Sequence, residues 1–348
     1  MPAPIRYSPD LEQPEADEAE TFAALIEALQ TITATTWQDS GTAIRGVHAK
    51  GHGLMHAILT VASDLPPELA QGVFAKAGRY EARVRISTSP GDIMDDHVSA
   101  PRGLAIKVLG VDALTDQDFL FVDGPAFPVA TPKAFVANLK LLAATTDRVE
   151  WLKRAFSATA RGLETLIEAA GSKSGTLIGL GGHKLTNPLG ETYYSQLPIR
   201  YGDYVAKVAA FPVSANLLAL TDAPVDLAGK PDGLRAAVAD EIARAGGEWE
   251  LRVQLNTDPA AMPIEDASVV WPDAESPFRT VATLSVAPQS SWNTERVREM
   301  DDGMAFSPWH CIDAHRPLGG VMRARKPVYE TLQGERSERS GCPFAHAA

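Results

Sequence analysis

The sequence predicts an α+β fold: an antiparallel β-barrel carrying inserted and C-terminal helices. Three observations point there. Short strand-like segments recur between residues 44 and 123 and again between 191 and 287, bounded by Gly, Pro and Asp clusters. The segments near 191–200 and 203–214 meet at Tyr201-Gly202-Asp203, a hairpin signal that belongs to antiparallel neighbours. Helical patterns are inserted late rather than alternating with every strand, which disfavours a parallel sheet. These patterns suggest a closed barrel, with a β-sandwich as the alternative.

Taken in order, residues 1–15 are rich in Pro and acids and read as an arm. From about Asp17, Phe22, Leu25, Ile26, Leu29 and Ile32 recur at helical spacing and predict an amphipathic helix. Strands are expected at about 44–62, 79–88, 102–109 and 117–123. The first is long for a single strand, and Gly51 and Gly53 mark a bulge or a close approach to a ligand. Helices follow at 132–144 and 148–170. The second shows an apolar stripe through Trp151, Phe156, Leu163 and Ile167 that reads as core packing. Residues 171–189 are Gly-rich but lack both the P-loop and the dinucleotide spacing, so they read as a loop. Beyond the hairpin come a helix near 233–246, strands near 248–257 and 278–287, and a helix near 293–300. No internal repeat is evident. The expectation is one domain over 16–340, followed by a tail at 341–348.

Composition narrows the function classes. Hydrophobic residues make up 45% and charged residues 22%, which fits a globular protein with a substantial core. A net charge of −12 disfavours nucleic acid and anionic membranes as partners. No apolar run approaches a membrane span and no leader-like N-terminus is visible, so no stable membrane insertion and a cytoplasmic location are expected. The two cysteines, Cys311 and Cys342, cannot form a disulfide framework and lack metal-type spacing.

The chemistry-bearing residues fall in blocks. Arg45-Gly-Val-His48-Ala-Lys-Gly51 places a histidine three residues after an arginine, and Arg325-Lys-Pro-Val-Tyr329 places a tyrosine four residues after another. On a helix that second spacing puts the guanidinium one turn from the phenol, where it favours the phenolate that binds ferric iron. Pro327 lies between them and predicts a kink. Alone, such a histidine is more often packed or exposed, and such an Arg–Tyr pair is more often an exposed face. Between them lie Arg85-Ile-Ser-Thr88, Arg102-Gly-Leu-Ala-Ile-Lys107 and Asp123-Gly-Pro-Ala-Phe127. His52 and His56 would share a face with His48 in a regular strand, which makes a three-imidazole metal site conceivable.

In that order the blocks resemble the catalase superfamily, whose haem core carries VHAKG, RFST, RGFAxK, NNxPxFF and RxFxY. The resemblance covers about residues 40–140 and 300–340. The chain looks most like the small catalase-related haem proteins, a group that includes catalase-related peroxidases and allene-oxide-synthase-like enzymes. Phe306-Ser-Pro-Trp-His-Cys311 and His315-Arg-Pro-Leu-Gly319 look like the signature of one bacterial branch. The resemblance implies a haem b with ferric iron bound by Tyr329 and assisted by Arg325. It implies His48 as distal acid–base oriented by Ser87, with Val47 crowding the open iron face. Arg45, Arg85 and Arg336 match the propionate arginines, and Phe135 matches a ring set against the porphyrin. Asp123 departs from the pattern. It stands where the family has an asparagine that donates to bound peroxide, and an ionised carboxylate can only accept.

The implied function is a haem-dependent peroxidase or weak catalase, an oxidoreductase acting on hydrogen peroxide or organic hydroperoxides. Alternatives are a fatty-acid hydroperoxide isomerase or lyase and a non-enzymatic haem-binding or sensing protein. A homo-oligomer is compatible with this reading.

Overall fold

The computed structural model describes residues 2–41, 43–112, 115–146 and 184–340. The predicted helix at 148–170, most of the Gly-rich loop, and the tail with Cys342 lie outside the described residues. The strands are β1 (Gly51–Val61), β2 (Gly78–Thr88), β3 (Arg102–Val108), β4 (Gln117–Val122), β5 (Tyr193–Tyr194), β6 (Ile199–Tyr201), β7 (Tyr204–Pro212), β8 (Gly247–Leu255) and β9 (Arg279–Val286). The longer helices are α1 (Glu18–Ser40), α2 (Pro132–Thr146), α3 (Gly233–Ala245) and α4 (Gly320–Ser340).

Every named strand pair is antiparallel. Sheet order runs β5-β4-β3-β2-β1-β9-β8-β7-β6, and β5 also pairs with β7. That extra pairing closes an eight-stranded barrel and leaves β6 outside the ring, hairpinned to β7 through Gly202 at φ 59°. The barrel is the predicted architecture, and the sandwich alternative is set aside. Alternate residues fill the interior, among them Met55, Leu59, Val84, Ile86, Ile106, Phe119, Val253 and Leu284. They form a packed core rather than a pore.

The predicted strand at 44–62 begins only at Gly51, with a register shift at Gly51/Gly53 against β2. Residues 46–48 bend instead of extending, because His48 N–H and Ala49 N–H donate to the carbonyls of Ser89 and Pro90. The predicted strand at 191–200 is split into β5 and β6, with Gln196 at φ 60° in the gap. The expected helix near 293–300 is a helical turn, Thr294–Arg296, running into a π-helical segment, Val297–Asp302.

Three helices pack together beside the barrel. Leu25 and Leu29 of α1, Val136 and Leu139 of α2, and Ala324 and Val328 of α4 share one apolar cluster. The arm at 1–15 is docked rather than loose. Ile5 N–H and Tyr7 N–H donate to the carbonyls of Asn256 and Asp203. Arg323 of α4 bonds Glu12 of the arm, Glu18 of α1 and Glu265 of the loop after β8. No helix among the described residues is long and apolar enough to cross a membrane.

Arg323 thus joins four segments at one point, beside backbone donors from Gln13 and Gly320 to Glu265 and from Gly319 to Glu12. Arg323→Ala is expected to cost roughly 1–3 kcal/mol, the usual cost of leaving partly buried charged partners unmatched. It should also open the arm to limited proteolysis before Glu18. Unchanged urea stability together with an unchanged cleavage pattern would show that the arm is held without Arg323.

Candidate functional site

A cleft lies between the outer face of β2–β4 and helix α4, with about 880 Å³ of space including its open mouth. The barrel-side wall follows from strand register. Ser87, Gly103 and Val122 are cross-strand neighbours, as are Arg85, Ala105 and Leu120, and all six line the cleft. These positions alternate with the barrel interior, so the period of two that fills the core also builds this wall.

His48 reaches the wall from the bend before β1. Its backbone is at φ 54°, in the left-handed region that a side chain rarely adopts, which re-aims the imidazole away from the strand direction. The ring lies against Gly103, where an added Cβ would meet its Cε1 at 2.5 Å. Its Nδ1 is 3.1 Å from Ser87 Oγ. Burial, reinforced by the Arg85 and Arg325 guanidiniums, pushes His48 down to about 3, against a weaker upward pull from Asp123. The ring is therefore neutral. In the tautomer whose Nδ1–H donates to Ser87 Oγ, Nε2 keeps its lone pair for a proton.

The broken strand also separates the other histidines. His52 is buried with Nε2 3.3 Å from Thr88 Oγ1, while His56 sits on the outer face, 2.8 Å from Glu299. The shared face expected for His48, His52 and His56 is not formed, because the bulge breaks the alternation. Among the described residues no group of three ligand-type side chains could hold a metal ion.

Helix α4 forms the opposite wall with Arg325, Tyr329, Leu332, Gln333 and Arg336. Arg325 Nη2 donates to Tyr329 Oη at 2.7 Å. The helix continues through Pro327 from Gly320 to Ser340, so the predicted interruption leaves the one-turn Arg–Tyr pairing intact. Loop contacts brace the start of this helix. Trp309 Nε1 donates to the Met322 carbonyl at 2.8 Å, and His315 is buried against Phe74, Phe119 and Tyr201.

Arg45, Arg85 and Arg336 converge at one end of the cleft on the π-helical segment. Arg85 Nε is 2.7 Å from Asp301 Oδ1, whereas Arg45 Nε is 3.6 Å away, an ion-pair distance too long for a hydrogen bond. Arg45 also donates to the carbonyls of Met300, Asp301 and Met304, and Arg336 to those of Asp301 and Met304. The Asp301 carboxylate thus feels all three guanidiniums, and the neighbouring Asp302 carboxylate feels Arg336 and Arg45. Burial would raise the Asp301 carboxyl, but Arg85 and Arg45 outweigh it and hold it below its ordinary value. Burial, with Arg336 and Arg85, pushes Arg45 down, as expected where positive charge is in excess.

Two of the predicted site residues stand outside the residues lining the cleft. Asp123 lies just behind the barrel-side wall, where its carboxylate accepts from Arg102 N–H at 3.0 Å and sits 3.5 Å from the Arg102 guanidinium. Arg102 also donates to Glu191 at 2.7 Å. Burial pushes Glu191 up to about 8, against the pull of Arg102. Phe135 packs in the three-helix cluster, with its ring centroid 5.0 Å from that of Phe127. Val47 does line the cleft. Sequence reasoning passed over Asp301, Gly103, Phe306 and Gln196. Only Gly103 and Phe306 stood inside quoted blocks, and neither carried a signal separating a wall position from a packed one.

Comparison with solved structures then places the architecture. A fungal catalase superposes with a TM-score of 0.63 at 18% identity, covering 90% of this chain and 62% of that one. The fold is that of the catalases. Catalase A from Saccharomyces cerevisiae gives 0.62 at 17% identity, covering 90% and 66% of the two chains. A bacterial catalase gives 0.61 at 13%, covering 99% and 65%. The chain thus spans 62–66% of the length of these catalases. No family model matches the chain, and no curated protein matches it in sequence.

The buried histidines make the fold acid-sensitive. Burial lowers His48 to about 3 and His315 to about 4. Both stay neutral when folded but take up a proton when unfolded below about pH 6.5. Their contribution is therefore full above about pH 6.5 and is lost as pH falls toward the folded values. Urea midpoints should drop between about pH 7 and about pH 5, and less so in His315→Leu. An acid loss of equal size in that variant would assign the effect to other groups.

Proposed function

We propose that the cleft binds haem b and that the protein is a haem-dependent peroxidase or weak catalase acting on hydrogen peroxide or organic hydroperoxides. The observation that carries this reading is the pairing of opposed walls. The Arg325–Tyr329 bond on α4 faces the same cleft as the neutral His48–Ser87 pair on the barrel. The catalase fold supports it.

The residues present fit such a group. Tyr329 offers one oxygen ligand, already accepting from Arg325. Arg45, Arg85 and Arg336 supply donors and an excess of positive charge for two propionates, with Asp301 holding them in place. Ala105, Leu120, Phe306 and Leu332 provide apolar surface for a flat ring. When bound, haem would supply the iron-centred redox chemistry that the side chains lack.

The chain's own work is then proton handling. His48 Nε2 takes the proton of an incoming hydroperoxide and returns it to the departing oxygen, which lowers the barrier to O–O cleavage. Ser87 holds the plane of the ring through Nδ1, and Gly103 leaves the space in which it lies. Asp123 acts from behind the wall, as a negative charge that partly offsets the arginines around His48.

Tyr329→Phe removes the proposed ligand oxygen without altering ring packing, so the ferric absorption spectrum of the purified holoprotein should change and haem retention should fall. An identical spectrum in the variant would sink the axial assignment.

His48→Ala should keep haem but lose about 10²–10⁴-fold in peroxide turnover, the usual contribution of general acid–base assistance. Rates would be compared at matched haem occupancy with hydrogen peroxide, cumene hydroperoxide and a fatty-acid hydroperoxide. Near-parental rates with all three would remove His48 from the mechanism, and consumption of the lipid substrate without an electron donor would identify an isomerase.

A further inference from the structure

We infer that Gln196 is a substrate-binding residue through which the cleft favours hydrogen peroxide over alkyl hydroperoxides, an inference that rests on the peroxide reading above. Gln196 lines the cleft together with His48, Ser87 and Val122. Its backbone is at φ 60°, a conformation that costs energy for a residue bearing a Cβ and that is held by its surroundings. It lies in the gap between β5 and β6.

The amide end is oriented without ambiguity. Nε2 donates to the Gly124 carbonyl at 3.1 Å and to the Ala126 carbonyl at 2.7 Å. Only the nitrogen of an amide can serve two carbonyl acceptors, so the assignment of nitrogen and oxygen is fixed by these partners. Both amide hydrogens are used. Among the described residues no donor reaches Oε1, so an unmatched carbonyl oxygen is the group that this lining residue would offer a ligand.

The other polar atoms of this wall are committed. Ser195 Oγ donates to the Leu197 carbonyl and accepts from Val208 N–H, and Ser87 Oγ is paired with His48. Asp123 is held by Arg102 behind the wall. Gly103, Val122, Ala105 and Leu120 contribute apolar surface. Hydrogen peroxide has two O–H donors, one for His48 Nε2 and one for Gln196 Oε1. An alkyl hydroperoxide has a single O–H. Once that is given to His48, the alkyl group faces Oε1 and leaves a desolvated acceptor unmatched. A site built around such an acceptor discriminates against analogues lacking the donor.

The test compares hydrogen peroxide with methyl hydroperoxide, which exchanges one O–H for O–CH₃ with little change in size. kcat/KM is measured for both substrates in the holoprotein and in Gln196→Met at matched haem content. The parent should prefer hydrogen peroxide by about 10-fold or more, and Gln196→Met should lose about 10-fold more on hydrogen peroxide than on methyl hydroperoxide. Cyanide affinity, read by absorption titration, should be unaffected, because the one proton of HCN goes to His48. If Gln196→Met disturbs the loop, Gln196→Asn serves instead. It retains an amide and tolerates the left-handed backbone, yet is too short to hold both carbonyls while reaching the cleft. It should lose the same preference. A parent without preference, or a preference that survives in the variant with intact cyanide binding, overturns this inference and leaves the haem reading standing. A parent that takes up no haem, or turns over neither peroxide, overturns both.

Discussion

Closure of the barrel rests on β5, only two residues long, and the site depends on that closure. Tyr194 pairs with Val122 of β4 on one side and with Ala209 of β7 on the other, while Tyr193 is fully buried and donates to the Pro188 carbonyl at 2.8 Å. Without this strand β4 would be an unpaired edge, free to fray or to recruit another chain. With it, the rows Ser87–Gly103–Val122 and Arg85–Ala105–Leu120 are held in register as one surface. The same segment then delivers Ser195 and Gln196 to the cleft. The element that completes the hydrogen-bond ladder therefore also completes the wall.

Against that rigid wall, charge is arranged from a distant part of the chain. Asp301 lies 216 residues beyond Arg85 and reaches it from the C-terminal end of a π-helical segment, where the last backbone carbonyls have no partner within the helix. Those carbonyls hold Arg45 and Arg336, so one short segment fixes three long side chains that would otherwise lose much rotamer freedom on binding an anion. The Asp301 carboxylate at the centre, with Asp302 beside it, lessens the repulsion among the guanidiniums, and three cations still outnumber two carboxylates.

Much of this was legible in the sequence, and the rest was hidden for physical reasons. Strand and helix positions followed from period and punctuation, and Gly51 and Gly53 did mark a bulge. The blocks around His48, Ser87, Arg325 and Tyr329 converge on one cleft because each block is local, and strand pairing brings the blocks together. The strand expected from residue 44 failed because the carbonyls of Ser89 and Pro90 capture the backbone at 48–49, a contact no local pattern reveals. Asp301 stands in an acidic run that resembles a solvated face. Gln196 follows Tyr193 and Tyr194 and reads as the continuation of a strand. Asp123 was legible as a departure but not as a partner of Arg102, because that pairing depends on β3–β4 register.

Electrostatics links the two ends of the cleft. His48 is held neutral first by burial and next by Arg85 and Arg325, with Arg45 adding to them. Two of these cations, Arg85 and Arg45, belong to the cluster at the far end. An anionic group bound there would neutralise part of their field, and the basicity of His48 would rise toward the value that burial alone imposes. Occupancy of the arginine cluster is thus expected to raise the proton affinity of His48 through space. Asp123 works in the same direction from behind His48 and is itself restrained by Arg102. A carboxylate at that position therefore helps decide how much positive field the imidazole experiences, a role that a neutral side chain of the same shape could not fill.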